Sequence, residues 1–477
     1  MLRKWDFKLE LSKNKNNHLP LYRQIAQQIE SLIISGILKP GDPLPGSRIL
    51  AGQLGVSRKS VMKAIEILTL SGWILNKERS GAFVAPHNKD YVTKFLPQQN
   101  KSGETHSQIM IDDGTPDTHI APMNELARAY RRVLNLKGRY NILGYNDPEG
   151  DYKFRTTISS MLNQERGLMT QPEEIIITRG SQMAIFMVAH AVLKPGDTVI
   201  MEYPCYDRAY KAFSKAGQKI IFIDVDDEGI KTQDISSILA EEPKAIYLTP
   251  RHQYPTMAEL SNYRRYQLAE WAITQNLLII EDDYDCDFSF QDNPVMPLSA
   301  LVAPGQYIYI GTFSKIIAPA IRIGFIATTK HHIDALRNLR EIIDIQGDIV
   351  METAILDLIE DGELTRHIKK STEYYRQKRQ LFIGLLHQHL NGLIDFSVPQ
   401  GGLAIWIRLL ESLNFKKLVE IMKREHIEIP VFTDSRGKIG MRFGYASVSE
   451  RDMETVIKKL GSIIKQCQQT QDNNTNL

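Results

Sequence analysis

Cysteine is scarce in this chain. Cys205, Cys286 and Cys467 are the only three in 477 residues, and they lie far apart. An odd, scattered set excludes a disulfide framework and a cysteine-rich zinc site. The expectation is a reducing compartment, the cytoplasm. Long apolar runs are missing too: none approaches the ~18–20 residues of a membrane span. The opening Met1-Leu-Arg-Lys-Trp-Asp-Phe-Lys has no apolar core of a signal peptide. With 30 Gly the chain is not collagen-like, and with 43% hydrophobic residues it is not a disordered polymer. A globular protein of two to four domains remains, at roughly 100–200 residues per domain.

Net charge is nearly absent as well, at +2. That absence is a cancellation. Residues 1–90 carry 14 Lys or Arg and 7 Asp or Glu, a balance of +7. The other 387 residues carry 44 basic and 49 acidic groups, a balance of −5. A basic head on an acidic body points to a nucleic-acid-binding module joined to something else.

The head, 1–86, reads as three helices and a two-stranded wing. Leu21, Ile25, Ile29, Leu32 and Ile33 recur at helical spacing over 20–35. A second helix begins at Ser47-Arg48. Gly55-Val is a tight turn, and Ser57 is an N-cap for a third helix over about 58–70. Two helices joined by a short glycine turn make a helix-turn-helix. Ser57, Arg58, Lys59 and Ser60 open the third helix with hydroxyls and cations suited to phosphates and base edges. Arg48 is placed to clamp the DNA backbone. Lys77 and Arg79 fall at the wing tip. A polar stretch, 87–110, reads as a linker.

From 111 to 466 the pattern changes. Ile175-Ile-Ile, Val199-Ile, Ala245-Ile-Tyr-Leu, Leu277-Leu-Ile-Ile and Tyr307-Ile-Tyr-Ile are buried-strand runs alternating with helical segments. This predicts a large α/β layer fold. Residues 467–477 read as a disordered tail.

Four segments of the body carry chemistry. Thr312-Phe-Ser314-Lys315 ends a strand, and a Lys there needs a task; condensation with an aldehyde cofactor is one. Ser314 and Arg322 suit a phosphate. The strand before Glu281-Asp282-Asp283-Tyr284 lies 33 residues earlier. A buried Asp282 would keep a pyridine nitrogen protonated, with Tyr284 on the ring's phenolic oxygen. The same carboxylates, with Asp285 and Asp287, leave metal binding as an alternative. Thr178-Arg-Gly180-Ser181-Gln182 is a strand, a glycine turn and a helix N-terminus, which receives phosphate. Tyr203-Pro-Cys-Tyr206-Asp-Arg208 offers an aromatic ring to a cofactor.

The head's Pro20-Leu-Tyr-Arg-Gln-Ile, Gly36-Ile-Leu-Lys-Pro-Gly-Asp-Pro-Leu-Pro and Leu54-Gly-Val-Ser-Arg-Lys-Ser-Val resemble the GntR family of bacterial regulators. Gly46 departs from that family's usual Ser and weakens a helix cap. The body segments, in their order, resemble fold-type-I aminotransferases. Together they resemble MocR/GabR regulators, a winged helix-turn-helix joined to a large α/β aminotransferase-like domain.

The resemblance implies pyridoxal 5'-phosphate (PLP) linked to Lys315, with Asp282 at its ring nitrogen, Tyr284 at its phenolic oxygen and Tyr206 stacked on the ring. It puts Gly180, Ser181, Gln182, Thr312, Ser314 and Arg322 around the phosphate. Tyr145, in Gly144-Tyr-Asn-Asp-Pro-Glu-Gly, is expected to reach the phosphate of a partner subunit. Arg442, helped by Arg208, is expected to bind an effector carboxylate. Met257 replaces the family's Gly in His252-Gln-Tyr-Pro-Thr-Met. The implied function is a homodimeric regulator of a double-stranded DNA operator, without a membrane, that senses an amine, an amino acid or PLP itself. The alternative is a working aminotransferase with an accessory DNA-binding head.

Overall fold

The computed structural model describes residues 21–70, 73–77, 81–85, 109–135, 142–292, 295–410 and 413–475. The chain divides into two compact units at Thr105/His106.

The first unit holds α1 (Leu21–Ile34), α2 (Ser47–Leu54), α3 (Arg58–Leu70) and the antiparallel pair β1 (Ile74–Lys77) and β2 (Gly81–Val84). Ile25, Ile29, Leu50, Val61, Ala64, Leu68, Ile74 and Val84 form its core. Their helical spacing sets one face of each helix inward. Gly55 ends α2 in the left-handed region at φ 59°, where glycine is unstrained. Ser57 caps α3 by accepting from the Ser60 amide at 3.2 Å.

Gly46 sits at the N-cap of α2 and supplies no side-chain hydrogen bond. Its φ of −56° is ordinary, and a Cβ there meets nothing within 4 Å. Gly46→Ser is therefore expected to stabilise the head by roughly 0.3–0.5 kcal/mol. Hydrogen exchange of the α1–α3 core amides in the full chain should slow about twofold. Unchanged or faster exchange would contradict this.

The second unit is built on an eight-stranded mixed sheet. Its strands are β4 (Ile175–Thr178), β5 (Thr198–Tyr203), β6 (Lys219–Asp226), β7 (Gly229–Ile230), β8 (Ala245–Leu248), β9 (Leu278–Asp282), β10 (Tyr307–Thr312) and β11 (Gly324–Ala327). They lie in the order β4-β11-β10-β9-β8-β5-β6-β7. Within each strand, successive apolar residues serve two different cores. Ile175, Ile177, Ile200, Ile246 and Ile279 face one; Ile176, Val199, Met201, Tyr247 and Ile280 face the other. That two-sided burial is why these strands read as continuous apolar runs.

Only β7 and β11 run against their neighbours. The parallel strands β4, β10, β9, β8 and β5 therefore end at one edge, where open α/β sheets place their sites.

A smaller antiparallel sheet follows, β12 (Ile394–Phe396), β13 (Ala404–Leu409), β16 (Ile439–Gly444) and β15 (Val431–Thr433), with its own core around Phe382, Leu386, Phe443 and Tyr445. β3 (Ile109–Met110) pairs with β14 (Ile427–Glu428), so the body already begins within the last two residues assigned to the linker. The terminal helix runs Glu450–Thr475. This differs from the expected disordered tail from 467: the helix continues to Thr475, and Ile463, Ile464 and Cys467 are buried in the small-sheet core. Linker residues 87–108 and Arg79 lie outside the described residues, as does the side chain of Lys77.

Candidate functional site

The shared strand edge opens into a cavity with roughly 440 Å³ of empty space, lined by Asp113, Ser181, Tyr206, Thr249, Tyr254, Asp282, Tyr284, Lys315 and Arg442. Seven of these residues follow or end the parallel strands. Arg442 comes from β16 of the smaller sheet, and Asp113 from the segment after β3.

Lys315 lies just past β10 and donates from Nζ to the Gly114 carbonyl at 2.8 Å. Burial lowers its pKa, against the opposing fields of Asp113 and Asp285. That favours the neutral amine, the nucleophilic form. Asp282 ends β9. Its Oδ2 accepts from the Tyr247 hydroxyl at 2.7 Å, while its buried Oδ1 has no partner among the described residues.

Tyr284 donates to the His252 carbonyl at 2.9 Å and accepts from Arg442 Nη2 at 3.1 Å. The Arg442 guanidinium also donates to the carbonyls of Asp113 and Pro255, at 2.6 and 2.9 Å. Tyr206 meets Tyr254 edge-on at 5.2 Å. Arg208 is exposed at the start of the helix Asp207–Lys215, where its carbonyl accepts from Gln182 at 3.5 Å.

Beside the cavity, Gly180 precedes the helix Ser181–Ala191 with φ 76°. A Cβ on Gly180 would stand 3.0–3.3 Å from the Arg322 guanidinium, which would have to give way, and the positive φ disfavours any other residue there. Arg322 has φ 56° and donates to the Arg179 carbonyl at 2.7 Å. The hydroxyl of Thr312 accepts from the Ser314 amide at 3.1 Å. Ser314 Oγ and Gln182 Oε1 are buried without partners among the described residues.

Tyr145 does not line the cavity; it is 87% exposed. In the head, Arg48, Ser57, Arg58 and Lys59 are exposed and Ser60 is half-buried; Arg58 donates to Ser47 Oγ at 3.3 Å.

No group of His, Cys, Asp or Glu suited to an ion occurs among the described residues. Each acid has its own partner: Glu281 takes Ser299, Asp282 takes Tyr247, Asp283 takes Tyr309 and Arg251, Asp285 takes His252, and Asp287 takes Arg166. Strand alternation and the following turn send them in different directions.

Met257 does occupy a glycine-type conformation, at φ 60°. It is buried, with its amide on the Gln253 carbonyl at 2.7 Å. The burial of its side chain offsets the strain of the left-handed backbone, which costs about 1–2 kcal/mol. Cys286 lines a different cavity, beside Arg166.

Asp113, Thr249 and Tyr254 are pocket residues that sequence reasoning passed over. Tyr254 stood in a motif noted only for its Met. Asp113 lies some 200 residues from Lys315, and the only local signal was the turn Gly114-Thr-Pro following a short apolar pair.

Burial pushes the Asp282 carboxyl up to about 7, against the hydrogen bond from Tyr247. A raised folded-state pKa means that the native state holds a proton the unfolded chain has released. Stability from this group is full below its unfolded pKa, near 4, and is lost as pH rises toward 7. Without PLP, Asp282→Asn should therefore gain stability relative to the parent between pH 5 and 8. Urea midpoints at the two pH values check this; a difference independent of pH would contradict it.

A helix-turn-helix head with an aminotransferase-fold body defines a class of regulator built on an enzyme scaffold. Residues 113–460 match the family model for aminotransferases of class I and II, and residues 21–84 that for bacterial regulatory proteins of the gntR family. The chain is 30% identical over 458 residues to the uncharacterized HTH-type transcriptional regulator YdeL of Bacillus subtilis, covering 94% of this chain and 97% of that one. It is 25% identical over 470 residues to the probable rhizopine catabolism regulatory protein MocR of Rhizobium meliloti, covering 94% of each. The multiple substrate aminotransferase of Thermococcus profundus shares the fold, with a TM-score of 0.72 and 24% identity over 80% of this chain and all of that one. The chain belongs to the MocR/GabR-type regulators of the GntR family. No described helix is long and apolar enough to cross a membrane.

Proposed function

We propose that this protein binds PLP and a small amine or amino acid in the body's cavity, and that occupancy changes the affinity of the head for an operator. The observation that carries the reading is a pair of unsatisfied buried polar atoms: Asp282 Oδ1 in the cavity lining, an acceptor for a ring N–H, and Ser314 Oγ on the residue next to Lys315, a hydroxyl free to donate to a phosphate. A buried polar atom without a partner calls for a ligand, an ion or a water to complete it.

The residues fit PLP. Asp282 would hold the ring nitrogen, Tyr206 would face the ring, and Lys315 would engage the aldehyde. Ser181, Gln182, Thr312, Ser314 and Arg322, with the Gly180 turn at a helix N-terminus, would hold the phosphate. When bound, PLP supplies a carbonyl for amines and an electron-withdrawing ring. The chain's own part is to lower the pKa of the Lys315 amine by burial, to raise that of the Asp282 carboxyl, and to present Arg442 and Arg208 to an effector carboxylate.

A homodimer agrees with Leu143, Tyr145, Ile342 and Ile345, which are 50–87% exposed. The Asn146 amide donates to Gln346 at 2.6 Å and joins those two segments. A second copy covering this apolar surface would bring Tyr145 to the partner's phosphate site. Two heads then match two operator half-sites.

The second reading, a working aminotransferase, is favoured by Lys315, Asp282 and Arg442 lining one cavity. Incubation with PLP and candidate amines separates the two. A persistent spectral change without keto-acid release supports sensing. Stoichiometric or repeated keto-acid release supports catalysis. An operator response to PLP alone assigns the sensing to PLP itself.

A further inference from the structure

We infer that Asp113 selects the effector: the molecule recognised here carries a second cationic group, which the Asp113 carboxylate receives. The inference rests on the reading of the cavity as a PLP and effector site.

Asp113 is half-buried and lines the cavity with Lys315 and Arg442. Its Oδ2 accepts from the Tyr254 hydroxyl at 3.0 Å. Arg442 bonds its main-chain carbonyl, not its carboxylate, and no described cation forms a salt bridge with that carboxylate. Burial raises the Asp113 pKa, but the fields of Lys315 and Arg442 and the Tyr254 hydrogen bond outweigh it, so the group stays below its ordinary value. It is an anion at neutral pH, with acceptor capacity to spare.

Four basic or acidic side chains line the cavity: Lys315 and Arg442, Asp113 and Asp282. With Lys315 and Asp282 engaged by PLP, one cation and one anion remain for the effector. Arg442 suits a carboxylate. A simple monoamino acid would satisfy Arg442 and leave Asp113 without a cation in direct contact. A dicarboxylate would bring a second anion beside Asp113. A diamino acid satisfies both groups, its first amine going to the cofactor, its carboxylate to Arg442 and its second ammonium to Asp113. Tyr254 fixes the direction of the Asp113 carboxylate. The guanidinium of Arg442 stacks on the same Tyr254 ring at 4.7 Å, which keeps the two recognition groups at a set spacing.

The test titrates the PLP-loaded full chain with L-ornithine, L-alanine and L-glutamate. Each titration is followed by the cofactor band and, independently, by thermal stabilisation. Hydrogen bonds to charged groups change affinity by roughly ten- to hundredfold. Ornithine should therefore half-saturate at least about tenfold below alanine, with glutamate weakest. Asp113→Asn keeps an acceptor for Tyr254 and removes the charge; it should bring ornithine level with alanine and improve glutamate. Alanine or glutamate binding as tightly as ornithine to the parent protein would overturn the inference, whatever the variant does. An unchanged order in a folded Asp113→Asn would also overturn it. Absence of any cofactor band in the parent protein is a different failure, that of the PLP reading itself.

Discussion

Replacing Lys315 by Ala is expected to remove the lysine-linked absorbance band that incubation with PLP would give the protein, with the fold intact. Among the described residues Lys315 is the one lysine lining the cavity, and no other amine there is placed to engage an aldehyde. Its single hydrogen bond, to the Gly114 carbonyl, is a small loss of about 1 kcal/mol. The sheet beneath it is held by residues the substitution does not touch, among them Ile308, Ile310 and Ile326. Far-ultraviolet dichroism should match the parent while the cofactor band is missing. A variant that keeps the band would place the cofactor's partner elsewhere and end the assignment.

Removing Arg58 and Lys59 together, each to Ala, should nearly abolish operator binding without altering PLP uptake. Both are exposed in the first turn of α3, beyond the left-handed turn at Gly55. A side chain reading a base edge is worth about 1–3 kcal/mol; one on a phosphate lowers the salt slope by about 1. Affinity measured at several salt concentrations on a duplex selected from a random pool separates these contributions. Full affinity with an unchanged salt slope would exclude α3 as the reading helix.

Much of this was legible in the sequence because its signals are local. The head's helices follow from apolar residues recurring at helical spacing, and the turn from Gly55. The body's strands stood out because both faces of the sheet are buried, so Ile175 to Ile177 needed no alternation to be seen. Lys315, Asp282 and Ser181 were recognisable because each ends or follows a strand, and parallel strands end together.

What escaped depends on the third dimension. Asp113 acquires its meaning only when the smaller sheet carries Arg442 beside it. The terminal helix looked like a polar tail from Gln468 onward, yet Cys467 and the turn before it are anchored in a core formed by distant residues. At Met257 the sequence flagged a lost glycine. The structure shows that the chain keeps the glycine conformation and buries the side chain instead.

The central claim is that occupancy of the body sets the affinity of the head for DNA. The most direct measurement is binding of the full-length protein to a pool-selected duplex, at one salt concentration, in three states: without PLP, with PLP, and with PLP and L-ornithine. Absorbance recorded in the same samples reports occupancy. The account predicts that at least one step changes affinity by about tenfold, a coupling of ~1.4 kcal/mol. Equal affinity in all three states, with the absorbance showing the cavity filled, would contradict it.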